Sequence, residues 1–404
     1  MTTQSNLEID WRAMEPSRRQ RFEKAVGGPI GGRSILGLVG LAQRGLRAMY
    51  DPERQAFPQT MRGHRSPDGV ALTPEGDSLR YAAIVALGLG GVSLAEQRLV
   101  LAGLDVPELV GRLVPRAARS EDVGAVALVA WAAAEVAGTY AEELFLHIDR
   151  RISSSHPIDT VECSWALTAV LSASGLADLA ELRDKTAARL RAAQGPGGLF
   201  PHVLPAQHGY RAHVGSFADQ VYPIQALARL HVVTDDAGAL AAANRCADRI
   251  VALQGAQGQW WWHYDARGDS VVEGFPVYSV HQHAMAPMTL LDLAEAGGHD
   301  HSAAVLQGLR WLDRHPEVMS ELVSEPLGVI WRKVGRREPP KLSRGLAAVA
   351  TARRPGTKVP MVDKLMPPGP IDYECRPYEL GWLVYAWTGS GVLGALAGAG
   401  AGHA

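Results

Sequence analysis

Asp159 and Glu162 stand three residues apart at what reads as a helix start, so their carboxylates share one face. Such a pair can hold one proton and one charge, as general acid–base chemistry requires. The same spacing also reads as a capping box, which satisfies backbone N–H groups with no catalysis. Ser216 with Asp219 offers the same two readings. His281 shares a face with Tyr278, and beside a carboxylate from another helix start it would act as a base near neutral pH. Glu374 and Tyr378 are four apart and face the same way, with Arg376 offset between them. A carboxylate favoured by the helix dipole is the structural alternative for Glu374. The catalytic candidates are therefore Asp159, Glu162, Asp219, His281 and Glu374. Arg80, Tyr81, Tyr222, Tyr278, His283, Tyr373, Arg376 and Tyr378 are candidate substrate contacts. Trp260, Trp261 and Trp262 cannot all point inward from one element, so Trp261 and Trp262 join them as aromatic wall.

These residues recur at one kind of place. Polar and aromatic clusters open every second helical segment, near Arg80, Glu121, Glu162, Asp219, His281 and Glu374, and each segment then turns apolar. From Val123 to Ala134 no polar face remains, so that helix must be buried on all sides. Segments 95–116, 176–193 and 237–254 instead mix Arg, Glu and Asp into their apolar period, as half-exposed outer helices do. Further helices are predicted over 121–137, 139–152, 159–174, 216–231, 277–296, 301–315 and 374–388. Alternating buried and half-exposed helices in six pairs predict an all-α fold, an α6/α6 toroid, with the inner N-terminal ends converging on one pocket. The expected organisation is a loosely ordered lead-in over 1–30, one toroid domain over 31–390, and a flexible Gly- and Ala-rich tail over 391–404. Long loops at 195–215 and 316–370 would cap the pocket. The second carries nine basic residues between Trp331 and Lys358 against one acid, Glu338. Arg332 and Lys333 in it could bind diphosphate, sulfate or uronate.

At 404 residues with 47% apolar and 20% charged content, the chain has the composition of an ordinary globular protein. A formal net charge of -2 excludes a dedicated nucleic-acid binder. No apolar run approaches the roughly 18 residues of a spanning helix, which leaves peripheral membrane contact open. The first ten residues lack the apolar core of a secretory signal, and three scattered cysteines make no disulfide framework, so a cytoplasmic location is expected. No ligand spacing commends a metal site.

Gln194, Gly198 and Phe200, and again Gln254, Gly258 and Trp260, follow one Gln-x3-Gly-x-aromatic pattern at the end of an outer helix. The pattern resembles the QW repeat of terpenoid cyclases and prenyltransferase-type toroids. In that family the Gln closes a helix end and contacts the ring. The segment Asp159 to Ala166 is similar to the acid-bearing helix of class II terpene cyclases, whose DxDD run it does not preserve: aligned on Asp159, the proton donor falls on Val161. The segment Asp372 to Leu380 resembles the zinc-bearing helix of prenyltransferase β subunits, with Cys375 where a His would stand. The resemblance implies an isoprenoid cyclase with Glu162 or Asp159 as acid, the aromatics guiding a carbocation, and the basic insertion holding a diphosphate, with Mg²⁺ if so. A glycan-active epimerase, lyase or hydrolase acting on an acidic saccharide is the alternative, and the polarity of the helix starts suits it.

Overall fold

The apolar stretch from Val123 onward is enclosed on every side in the computed structural model, which describes residues 34–389 except 68, 207, 269, 318–319 and 340. The expected lead-in and tail lie outside the described residues. In chain order, α1 (Ile35–Met49) is followed by α2 (Leu79–Leu89), α3 (Leu94–Val100), α4 (Val106–Ala118), α5 (Val123–Ala137), α6 (Glu142–Ser153) and α7 (Thr160–Ser172). Then come α8 (Ala180–Arg191), α9 (Ala218–Thr234), α10 (Ala237–Ala252), α11 (Ala286–Glu295), α12 (Ser302–Trp311), α13 (Leu342–Arg353), α14 (Val362–Leu365) and α15 (Pro377–Thr388).

Helices α2, α5, α7, α9, α11 and α15 pack each against the next, and α15 returns to α2, so six inner helices close a ring. Helices α1, α4, α6, α8, α10 and α12 each precede one of them and form the outer layer. This is the expected α6/α6 toroid. The seam between α2 and α15 needs glycine on both sides: a Cβ on Gly88 would sit 2.4 Å from the Gly381 carbonyl oxygen. No helix among the described residues is long and apolar enough to cross a membrane.

Three segments differ from the sequence expectation for physical reasons. The predicted helix over 95–116 is two helices, because Ala102 (φ 52°) and Gly103 (φ 104°) turn left-handed and Asp105 starts a new capping box with Glu108. The helix expected over 277–296 begins as a strand and a wide π turn, His281–Met285, before α11. Pro287 has no N–H to offer the His283 carbonyl four residues back, and the Trp387 indole donates to that oxygen instead, at 3.2 Å. The expected loop 316–370 carries short strands together with α13 and α14.

Short strands also tie the loops together just ahead of the inner helices. Ile158–Asp159 pairs with Val203–Leu204, and Val214–Ser216 pairs with His263–Asp265 and through it with Val271–Glu273. Lys333–Arg336 lies between Val277–Tyr278 and Pro368–Asp372, and Glu374–Cys375 joins the Thr60–Ser66 and Gly69–Glu75 hairpin.

The Gln-x3-Gly-x-aromatic repeats are tertiary clamps. Gln194 Nε2 donates to the Gly198 and Ala242 carbonyls at 2.8 and 2.9 Å, and Gln254 Nε2 to those of Gly258 and Ala304, both at 3.0 Å. Each Gln closes its own turn and reaches the next outer helix. The aromatic residue is held through its backbone by a Gln of the following inner helix: the Phe200 N–H donates to Gln220 Oε1 at 2.8 Å, and that of Trp260 to Gln282 Oε1 at 3.2 Å.

Deep in the ring, the Arg229 guanidinium of α9 donates to Glu135 of α5 at 2.7 Å, to the Tyr385 hydroxyl of α15 at 2.6 Å and to Asp292 of α11 at 3.3 Å. Trp131, Ser172 and the Tyr385 hydroxyl donate to the same Glu135 carboxylate. Arg229 is 1% exposed, so removing it strands two buried carboxylates. Arg229→Ala is expected to lower unfolding free energy by about 3–5 kcal/mol in urea titrations. A loss below about 1 kcal/mol would show that the cluster does not brace the ring.

Candidate active site

A cavity of about 260 Å³ opens where the inner helices begin. Helix α2 contributes Arg80, Tyr81 and Ile84 to its lining, α7 contributes Val161 and Trp165, and α9 contributes Ala218 and Tyr222. Tyr278, His281 and Met285 precede α11, Tyr378 belongs to α15, and Trp262 and Arg332 enter from loops. The wall is thus aromatic and carries two guanidinium groups. Carboxylates stand just behind it, four of them held by Arg80 or Arg332.

Arg80 forms one such group. Its guanidinium pairs bidentately with Asp122 and lies 2.5 Å from Glu162 Oε1, with Trp165 beneath it at 5.6 Å. Gly124 makes this possible, since a Cβ there would fall 2.5 Å from Arg80 Cζ. Burial raises the Glu162 carboxyl above the ordinary Glu value; Arg80 opposes that rise, and the charges of Asp159 and Asp122 add to it. Burial also penalises the charged form of Asp122, but the bonds from Arg80 outweigh it and hold that carboxyl low. The shared guanidinium thus leaves the two acids different, Glu162 raised and Asp122 lowered.

Arg332 forms the second group, 3.1 Å from Glu374, 3.3 Å from Glu379 and 5.0 Å from the Tyr278 ring. Arg376 donates to Glu374 at 2.7 Å and to the Tyr81 hydroxyl at 2.8 Å, and Tyr81 stacks on Tyr378 at 4.7 Å. Burial pushes Glu379 up to about 7, whereas Arg332 and Arg376 more than offset the burial of Glu374 and lower it.

The third group joins two predicted carboxylates, Asp219 and Asp159, to a histidine that sequence reasoning missed. His202 Nδ1 lies 3.2 Å from Asp219 Oδ2, and its Nε2 lies 3.9 Å from Asp159 Oδ2. The hydrogen bond to buried Asp219 pushes the imidazole up to about 9. Asp219 also accepts from the Ser216 N–H and hydroxyl, both at 2.7 Å. Arg344 of α13 was likewise missed as a site residue. It lies over Trp262 at 3.5 Å and pairs with Glu273 at 3.5 Å, which seats α13 beside the cavity. The strand pairings that bring His202 to Asp219, and Glu273 to His263, leave no mark in local sequence spacing.

Several predicted residues stand elsewhere. Asp159 makes no capping hydrogen bond, because it belongs to the strand pair with Val203. Of the three adjacent indoles, Trp260 is in the core, Trp261 turns away to donate to the Leu253 carbonyl at 2.7 Å, and Trp262 lines the cavity. His283 is fully buried away from the cavity lining. His281 reaches the cavity between Phe217 and Tyr278, and burial pushes it down to about 3, so it stands there as a neutral imidazole. Tyr373 packs outside the cavity on Trp331, and its hydroxyl accepts from Arg65 at 2.7 Å. Lys333 is paired with Asp372 at 3.3 Å.

An α/α toroid with an aromatic, arginine-rich cavity is the class that this geometry defines. No protein-family model and no curated protein sequence matches the chain. Solved structures do. An unsaturated glucuronyl hydrolase specific for heparin aligns with a TM-score of 0.55 at 13% identity, covering 94% of this chain and 96% of its own. The unsaturated glucuronyl hydrolase of Bacillus sp. GL1, described as responsible for glycosaminoglycan degradation, aligns with a TM-score of 0.51 at 14% identity, covering 91% and 96%. A possible member of the GH105 family from Salmonella enterica serovar Paratyphi A gives 0.52 at 11%, covering 89% and 95%.

These likenesses establish the fold and correct the terpenoid-cyclase expectation. Two of these neighbours are unsaturated glucuronyl hydrolases and none of the three is a terpenoid cyclase, so the Gln repeats mark a toroid without naming its reaction. The chemistry agrees. Val161, at the aligned proton-donor position, is cavity wall. Arg332 and Lys333, candidates for binding diphosphate, sulfate or uronate, pair with Glu374 and Glu379 and with Asp372 respectively. The Mg²⁺ expectation was conditional on a diphosphate substrate and lapses with the cyclase reading.

The His202–Asp219 contact sets a pH window. The folded protein holds this proton more tightly than the unfolded chain does, so the contact stabilises fully below pH about 6.5 and loses its effect as pH rises through about 9. An NMR titration should find the His202 midpoint near 9 in the native chain and close to the ordinary value in Asp219→Asn. An unshifted native midpoint would remove the ion pair from the site.

Proposed function

We propose that this chain is a glycan-active hydrolase acting on an acidic, uronate-bearing saccharide. One observation supports the reading above others: the cavity combines Arg80 and Arg332 with Trp165, Trp262 and Tyr278, in a toroid that aligns with glucuronyl hydrolases over about nine-tenths of both chains. Aromatic faces stack on the apolar faces of sugar rings, and a guanidinium fork receives a uronate carboxylate.

In this reading Glu162 is the general acid. Its raised affinity for a proton lets it protonate the leaving oxygen as the glycosidic bond breaks, while Arg80 receives the charge left on the carboxylate. A water completes the cleaved bond and gives its proton to a second carboxylate, as glycoside hydrolysis requires. Asp159 suits that role, having 44% of its side chain exposed and the His202 imidazole 3.9 Å away. Arg332 binds the uronate, and Tyr278 and Trp262 hold the ring.

The test is turnover of uronyl and unsaturated uronyl oligosaccharides, followed by new reducing ends and product mass. Glu162→Gln should lower kcat by about 10²–10⁴-fold with little change in KM. Arg332→Gln should mainly raise KM. A native chain that neither binds nor cleaves any uronyl oligosaccharide would sink the proposal.

A further inference from the structure

We propose that Asp248, His299 and His301 form a binding site for a divalent transition-metal ion, of which zinc is the type, on the outer ring of the toroid. Their ligand atoms all lie within 4.8 Å of one another. His299 Nδ1 stands 2.9 and 3.2 Å from the two Asp248 oxygens, and His301 Nε2 stands 3.2 Å from Oδ1. Zinc–nitrogen and zinc–oxygen bonds of about 2.0–2.1 Å place adjacent corners of a tetrahedron roughly 3.3 Å apart. Both nitrogen–carboxylate spacings are therefore close to what a shared ion would impose, and the two imidazoles lie within 4.8 Å of each other.

A second observation points to a ligand. The His301 Nε2 atom is buried and has no hydrogen-bond partner, although the Asp248 carboxylate is beside it. The ring is near the carboxylate but not aligned to donate to it, and a cation between the two would engage both. His299 has 60% of its side chain exposed, which leaves a fourth position open to water.

The scaffold holds these groups in place. The Asn244 side-chain oxygen, on α10 one turn before Asp248, accepts from the His299 N–H at 2.8 Å. This close approach needs Gly298, where a Cβ would fall 2.8 Å from that oxygen and 2.5 Å from Leu293. Asp300, between the two histidines, is turned elsewhere and accepts from the Ser302 N–H at 2.8 Å at the start of α12. Two imidazoles and one carboxylate suit zinc-like ions and not Mg²⁺ or Ca²⁺, which take oxygen ligands. Asp248 and His299 are 51 residues apart, so the ion would clasp α10 to the connection between α11 and α12. None of the three residues lines the cavity, which makes the site a tertiary staple separate from the proposed chemistry.

The test uses the full chain, stripped with a chelator and titrated with Zn²⁺ against a chromogenic zinc indicator. The native protein should take up one equivalent in the micromolar range or tighter and gain several degrees in thermal midpoint with Zn²⁺ but none with Mg²⁺. Asp248→Asn and His301→Ala should each weaken uptake by at least about tenfold and abolish the thermal gain. Asp248→Asn keeps the side-chain size, so circular dichroism will separate a lost ligand from a lost fold. Absence of uptake by the native chain, or unchanged uptake in both variants, would overturn the assignment.

Discussion

The contact of Arg229 with Glu135, Asp292 and Tyr385 governs how the inner ring can assemble, because it joins four inner helices inside an otherwise apolar interior. Apolar packing alone tolerates sliding and rotation; a buried guanidinium with three partners on three helices does not. Turning any one of these helices would take a buried carboxylate or hydroxyl away from the guanidinium that neutralises the cluster, at a cost of several kcal/mol. Glu135 lies in the last turn of α5 and Arg229 in the fourth turn of α9, well inside from the cavity. Fixing the helices there fixes which side chains their other ends present.

At those other ends the same chemistry is used openly. Arg80 and Arg332 face the cavity with their carboxylate partners behind them, so each cation is neutralised yet keeps an exposed surface. The short strands matter here. By pairing loops from different hairpins, they turn what would be separate connections into a rim of fixed depth. Asp159 and His202 meet because Asp159 pairs with Val203, next to His202, and not because of any helical spacing.

Much of the fold was legible because burial leaves a simple signature: helices apolar all round must be inner, helices with one charged face must be outer. The convergence of the polar helix starts followed from that alternation. The individual roles were less legible, because one residue type serves several ends. Gln220 and Gln282 looked like members of polar clusters, yet they hold the backbones of Phe200 and Trp260. Asp159 and Glu162 had the spacing of a capping box, yet Asp159 is in a strand and Glu162 faces Arg80. The Gln-x3-Gly-x-aromatic repeat is a packing device in this chain, which is why it gave the architecture and not the reaction. Glu135 and Arg229 did not enter the sequence reading, because the pair that joins them spans 94 residues and no local spacing marks it.

The glycine seam between α2 and α15 makes this a ring whose first and last inner segments are each other's neighbours. Gly88 and Gly381 touch across almost the whole described chain. Contacts of such long sequence separation carry the largest loop-closure entropy and form late. During synthesis, the earlier hairpins can stack on one another as an open crescent, but the edge presented by α2 stays bare until α15 has emerged. That nascent crescent exposes an apolar helix face for as long as the ribosome takes to finish, which makes completion of the circle, and not formation of any single hairpin, the step most open to aggregation and to chaperone capture.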